Sequence, residues 1–155
     1  MKIVLGTANF NIPYGLNRNR IKKKEISKIL TFSKKKKILY IDNAELYYKK
    51  KDVLFKKVKN FKFNTKISKI KGFSQEVIDN NLNKKILQIQ KLYKIKNINT
   101  LFLHSPKEIL HKKNGKYLIN ALKKAKKNRL INKIGYSVYN EVEAKKFVKI
   151  FKPDV

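Results

Sequence analysis

The sequence predicts an α/β protein in which short strands alternate with amphipathic helices around a parallel sheet. Short apolar runs alternate with longer segments whose apolar residues recur every three or four positions. No hairpin signal joins successive runs, so crossover connections are expected, and these make the strands parallel. The pattern recurs as five strand–helix units of roughly 30 residues each, the usual size of a βα repeat.

Taken in order, Ile3–Leu5 reads as a first strand ending at Gly6. Residues 25–32 form a helix with Ile26, Ile29 and Leu30 on one face and lysines opposite. Residues 38–41, Ile-Leu-Tyr-Ile, are continuous apolar sequence closed by Asp42, the pattern of a strand buried on both faces. A shorter helix over residues 52–59 follows, with Val53, Leu54 and Val58 inward. Residues 61–67 form a third strand. Ser74 then caps a helix that has Glu76 in its first turn and a stripe of Ile78, Leu82, Ile86, Ile89 and Tyr93. Residues 100–103 form a fourth strand running into His104-Ser105-Pro106. Leu118, Ala121, Leu122 and Ala125 mark the next helix. Residues 131–138 form a fifth strand, and Ala144, Phe147, Val148 and Phe151 a further helix. Pro153-Asp154-Val155 reads as the lead-in to a sixth strand.

The 155 residues suit one domain of about 100–200 residues. They are too few for a complete (β/α)8 barrel of about 250. The 42% hydrophobic content supports a core and argues against wholesale disorder. The absence of cysteine excludes disulfides, a thiolate nucleophile and cysteine-based metal sites. The first apolar run is too short for a signal peptide or a membrane span, which makes the cytoplasm the expected compartment.

A net charge of +30 raises the question of nucleic acid, since lysines that neutralise phosphates release counterions. All but three of the 40 basic residues are lysines, the exceptions being Arg18, Arg20 and Arg129, and they accompany abundant Asn and Ile. That composition fits A- and T-rich coding better than a surface selected for bidentate phosphate contacts. A non-catalytic basic module for nucleic acid or anionic surfaces is therefore the alternative reading. Specific nucleic-acid binding and membrane partners are not expected. Phosphate-loop, dinucleotide GxGxxG and GxSxG nucleophile patterns are absent.

Both an open doubly wound sheet and part of a barrel give this element order, and the polar residues discriminate. Asp42, Lys66, His104 and Ser137 fall at the carboxyl ends of successive predicted strands, where barrel enzymes place their chemistry. Alone, each has a plain explanation: a loop carboxylate, one lysine among many, a turn histidine. Together with Tyr47 they outline a proton-donating site. A tyrosine donates usefully when its pKa falls from about 10 toward the working pH. A lysine ammonium favours the phenolate, and a carboxylate holds that lysine charged and oriented. His104 is placed to orient a carbonyl oxygen, and His111 reads as a surface residue.

Leu5-Gly6-Thr7-Ala8, Ile41-Asp42-Asn43-Ala44 with Tyr47, Lys66, Leu103-His104-Ser105-Pro106 and Ile134-Gly135-Tyr136-Ser137 resemble, in order, the aldo-keto reductases. Tyr14-Gly15-Leu16-Asn17 is similar to a bacterial subgroup of that family. The resemblance implies a TIM-barrel fold and NADPH-dependent reduction of aldehyde and ketone carbonyls. By it, Tyr47 is the general acid, Lys66 lowers the tyrosine pKa, Asp42 partners the lysine and His104 orients the substrate. Gly6, Thr7, Asp42 and Ser137 line the cofactor side, with Ser137 bonding the nicotinamide amide. The chain departs from the pattern in Asn43 for Thr, Tyr48 for Gly, Lys50-Lys51 for Ser-Glu and Leu54-Phe55 for Leu-Gly.

On this reading residues 1–155 are a partial barrel, strands one to five and the start of six, truncated after about five βα units. The family's strands six to eight supply the nicotinamide-stacking residue and most of the phosphate grip. An N-terminal fragment is the favoured explanation. A complementing C-terminal half, self-association or an independent open-sheet module are the others.

Overall fold

The computed structural model describes residues 3–15, 21–47 and 57–155. Five strands, β1 (Val4–Gly6), β2 (Tyr40–Ala44), β3 (Lys62–Ile67), β4 (Ile98–Leu103) and β5 (Ile131–Tyr136), form one sheet in sequential order. Every neighbouring pair is parallel. The helices are α1 (Ala8–Asn11), α2 (Lys23–Lys35), α3 (Gln75–Tyr93), α4 (Lys112–Lys127) and α5 (Glu141–Ile150). Past α5, the backbone of Asp154 and Val155 hydrogen-bonds to Ile134 and Tyr136 along the edge of β5, as expected of a sixth-strand lead-in.

The anticipated helical stripe of α3 is buried at every position, Ile78, Leu82, Ile86, Ile89 and Tyr93. Ser74 caps this helix by accepting the Val77 N–H. On the same side of the sheet lie Ile41, Phe63, Ile67, Leu101, Leu103 and Ile134, so strand and helix faces share one core. Phe63 and Tyr93 make its aromatic contact, with ring centroids 4.4 Å apart.

Several boundaries differ from the sequence expectation, each for a local reason. At the end of α2, Lys37 turns into the left-handed region at φ 57° and Ile38 N–H closes on Ser33 O. That turn consumes Ile38 and Leu39, so β2 starts at Tyr40 and carries Asp42 inside the strand rather than past its end. β2 is also not sealed on both faces. Tyr40 and Asp42, with Asn64, Lys66, Thr100, Phe102 and Lys133 from neighbouring strands, line an open cleft on the face away from the helices. α2 begins two residues earlier than anticipated because the Glu25 carboxylate accepts the Lys22 N–H at 3.0 Å. The expected helix at residues 52–59 lies mostly outside the described residues, Val53 and Leu54 included. Its end, Val58–Asn60, is a 3-10 turn with Val58 buried.

Candidate active site

The site lies at the carboxyl ends of the strands, where successive backbone hydrogen bonds carry the ladder beyond each strand. His104 N–H donates to Ile67 O and Ser137 N–H to Leu103 O, each at 3.1 Å, so both residues are fixed against the neighbouring strand. Thr7 N–H donates to Asp42 O at 3.1 Å and does the same for β1. Tyr47 ends a 3-10 turn, Glu45–Tyr47, that leaves β2 directly. A cavity of about 320 Å³ results, lined by Gly6, Thr7, Asp42, Tyr47, Lys66, His104 and Ser137. All seven residues singled out from the sequence border this one space.

Lys66 Nζ donates to Asp42 Oδ2 at 2.5 Å, with 18% and 35% of the two side chains exposed. The lysine also sits over the Phe102 ring, 5.8 Å from its centroid. Gly135 makes room for that ring: a Cβ there would lie 2.4 Å from a Phe102 carbon. Glycine at this position of the Ile-Gly-Tyr-Ser segment is therefore required by a close approach.

Tyr47 does not behave as the sequence implied. Burial pushes its phenol pKa above the ordinary value of about 10, and the electrostatic influence of Tyr14, Asp42 and Tyr139 pushes the same way. Lys66 is held by Asp42, and its charge is spent on that carboxylate. The site thus favours a neutral phenol. Thr7, expected on the cofactor side, lines the cavity and is tied to β2. It is 1% exposed, and its hydroxyl donates to Asp42 O at 2.9 Å with Asn43 Oδ1 at 3.1 Å. Its donors are thus committed to β2, and it shapes the cavity wall without offering either to a ligand.

Asn43 gains an explanation here. It is fully buried, and its amide donates to the Tyr93 hydroxyl at 2.7 Å while its oxygen faces Thr7. This buried polar chain ties β1, β2 and the end of α3 together behind the site. Tyr48, Lys50, Lys51, Leu54 and Phe55 lie outside the described residues.

The sequence reading missed Asn9, Tyr14 and Tyr139 as cavity-lining residues. Tyr14 and Tyr47 are close, with centroids 6.2 Å apart. Both Tyr14 and Tyr139 are loop residues outside any periodic pattern; Tyr14 belongs to the Tyr14-Gly15-Leu16-Asn17 motif, which does not place it at the cavity, and no motif points to Tyr139. A second cavity of about 750 Å³ adjoins the first, sharing His104. Ile70, Ile78, Leu118 and Leu46 give it an apolar wall. His111, expected at the surface, is exposed and caps α4, its Nδ1 accepting the Asn114 N–H at 3.2 Å.

Among the described residues no helix is long and apolar enough to cross a membrane. No protein-family model matches the chain. No curated protein matches it by sequence. Solved structures do match. A Pseudomonas aeruginosa protein assigned to the aldo-keto reductases aligns with a TM-score of 0.71 at 18% identity, covering 94% of this chain and 58% of its own. The holo form of aldo-keto reductase AKR11C1 from Bacillus halodurans aligns with a TM-score of 0.69 at 16% identity, covering 96% and 49%. A Gox0644 variant in complex with NADPH aligns with a TM-score of 0.61 at 14% identity, again covering 96% and 49%. The chain spans about half the length of these structures. It has, over nearly all its length, the α/β fold of about half of an aldo-keto reductase TIM barrel, as an N-terminal part of one would.

Proposed function

We propose that the chain carries the proton-donating side of an NADPH-dependent carbonyl reductase site, with residues 1–155 forming the first five βα units of the barrel and the start of the sixth. The observation that carries the reading is the single cavity shared by Asp42, Tyr47, Lys66 and His104 with Gly6 and Ser137.

The residues fit the nicotinamide end of such a cofactor. A Cβ on Gly6 would meet nothing within 4 Å, so a flat ring has space against this backbone. The cavity is at the small end of the ~300–1,000 Å³ typical of ligand pockets, suited to the reacting ends of two molecules. Gly6, Asp42 and Ser137 would hold the nicotinamide end. When bound, the cofactor supplies the hydride equivalent for the carbonyl carbon. Tyr47 supplies the proton to the carbonyl oxygen, and His104 hydrogen-bonds that oxygen and orients it. Asp42 holds Lys66 in place. A substrate oxygen approaching Lys66 competes with Asp42 for its three donors, which brings the ammonium's charge to bear on the phenol.

The test is NADPH binding by fluorescence, and aldehyde-dependent NADPH oxidation, for the purified chain and for Tyr47→Phe. Where the chain turns over NADPH, alone or with a complementing C-terminal half, the expected result is that Tyr47→Phe still binds the cofactor and loses turnover. Turnover that survives Tyr47→Phe overturns the assignment of the proton donor. Absence of NADPH binding overturns the assignment of the cofactor to this chain.

A further inference from the structure

We propose that Glu45, Ser68 and Lys85 form a positioning clamp that fixes the turn carrying Tyr47 against the strand end carrying Lys66. The proposal rests on the reading of Tyr47 as proton donor. Glu45 lies two residues before Tyr47, in the same 3-10 turn. Ser68 lies two residues after Lys66, just past the end of β3. Glu45 Oε2 accepts both the Ser68 N–H at 2.8 Å and the Ser68 hydroxyl at 2.6 Å. From the middle of α3, Lys85 Nζ donates to Glu45 Oε1 at 2.7 Å, to Glu45 Oε2 at 2.8 Å and to Ser68 Oγ at 2.7 Å.

In a chain with 40 basic and 10 acidic residues, any carboxylate will find a lysine, so an ion pair alone says little. What distinguishes this group is closure. Each of the three side chains bonds the other two, and one backbone N–H joins them. The serine hydroxyl donates to the glutamate and accepts from the lysine, using both capacities. Only 23% of Lys85 and 28% of Glu45 are exposed, so the charge-assisted bonds are partly shielded from water. The Glu45 pKa is lowered accordingly: burial alone would raise it, and the Lys85 and Ser68 bonds outweigh burial.

The clamp holds two loops from adjacent strands at one separation, and that separation sets where the phenol sits among its neighbours. Tyr14, Asp42, Lys66, His104 and Tyr139 all border the cavity that Tyr47 enters. The clamp acts on Tyr47 through position, since it sets how deeply the phenol is buried, and burial is the main cause of its raised pKa. Leu46, between the two, borders the larger apolar cavity together with Ser68, so the clamp also fixes one wall there.

The experiment is an alkaline titration of phenolate absorbance on the full chain. Ser68→Ala, Lys85→Met and Lys85→Arg are each compared with the same background carrying Tyr47→Phe, alongside thermal melts. Ser68→Ala changes no charge and is the decisive variant if Lys85→Met fails to fold. In Ser68→Ala and Lys85→Met the Tyr47 transition is expected to move down by about 0.5 pH unit or more, as the released turn gains solvent and leaves its negative neighbours. Lys85→Arg keeps the wild-type transition. A lower melting temperature with an unmoved Tyr47 transition would show a merely structural clamp and overturn the proposal. The titration needs no turnover, so it separates from the reductase reading. A shifted transition in a chain that reduces nothing keeps the clamp and removes the function, and an unshifted one in an active chain does the reverse.

Discussion

Gly135→Ala is the sharpest steric test of the site's architecture. The added Cβ would lie 2.4 and 2.5 Å from two Phe102 ring carbons and 3.2 Å from the atom that anchors the ring. Ordinary carbon–carbon separation is about 3.5 Å or more, so the ring must retreat by about 1 Å, and its anchoring atom limits how far it can swing. Gly135 has an ordinary negative φ, so the backbone accepts alanine without strain. Alanine also narrows the unfolded ensemble, which returns roughly 0.4–1 kcal/mol. Overpacking costs about 1–3 kcal/mol, leaving a net loss of up to about 2.5 kcal/mol. For a chain of this length each 1 kcal/mol lowers the melting temperature by about 2–4 °C. The assay is a double-mutant cycle of urea melts on wild type, Gly135→Ala, Phe102→Ala and the double variant. In the Phe102→Ala background the alanine is expected to cost less than about 0.5 kcal/mol, because its obstacle is gone. An equal loss in both backgrounds would refute the argument that this glycine exists to admit the ring.

Three further predictions follow from the same geometry. Asp42→Asn removes one of the charges that raise the Tyr47 pKa and releases Lys66, so the Tyr47 transition moves down in a spectrophotometric titration. Ile86→Ala empties a fully buried site in the α3 stripe and is expected to cost about 2–5 kcal/mol in a denaturant melt. Glu45→Gln flattens the acid limb of stability. The folded pKa of Glu45 lies below its ordinary 4.5, so its contribution is full above that pH and disappears as pH falls through the folded value. Unfolding free energies measured across the acid range should therefore depend less on pH in the variant.

The long-range frame was legible in the sequence because its signals are periodic. The α3 stripe, the Ser74 cap and the five parallel strands all express spacing that a linear reading detects. Asp42, His104 and Ser137 were legible because each follows a largely apolar run, whereas Lys66, after Asn64-Thr65, is placed by its position on the third strand. What escaped depends on geometry that no spacing encodes. Lys37 adopts a left-handed conformation usually associated with glycine or asparagine, and so β2 begins later than its apolar run suggested. Helix α1 is four residues long, too short for any period to register. The pairing of Lys66 with Asp42 was anticipated, but not that it would leave Tyr47 with a raised pKa. That outcome follows first from burial of the phenol, with Tyr14, Asp42 and Tyr139 adding to it at the same cavity. The clamp joins residues 23, 40 and 17 positions apart, and nothing in a linear pattern ties these together.

The buried chain from Thr7 through Asn43 to Tyr93 carries a consequence for descent as well as for packing. An asparagine enclosed in the core is tolerable only while its amide finds partners, since a buried polar group deprived of one costs about 1–3 kcal/mol. Substituting Asn43 by the smaller threonine takes a donor from Tyr93, and substituting Tyr93 by phenylalanine takes an acceptor from Asn43. Either change alone is a step downhill, whereas the two together restore a consistent interior. Positions 43 and 93, far apart in the chain and touching only in the fold, are therefore expected to change together. Lineages that carry this chain are expected to cross between the two solutions rarely, and in pairs.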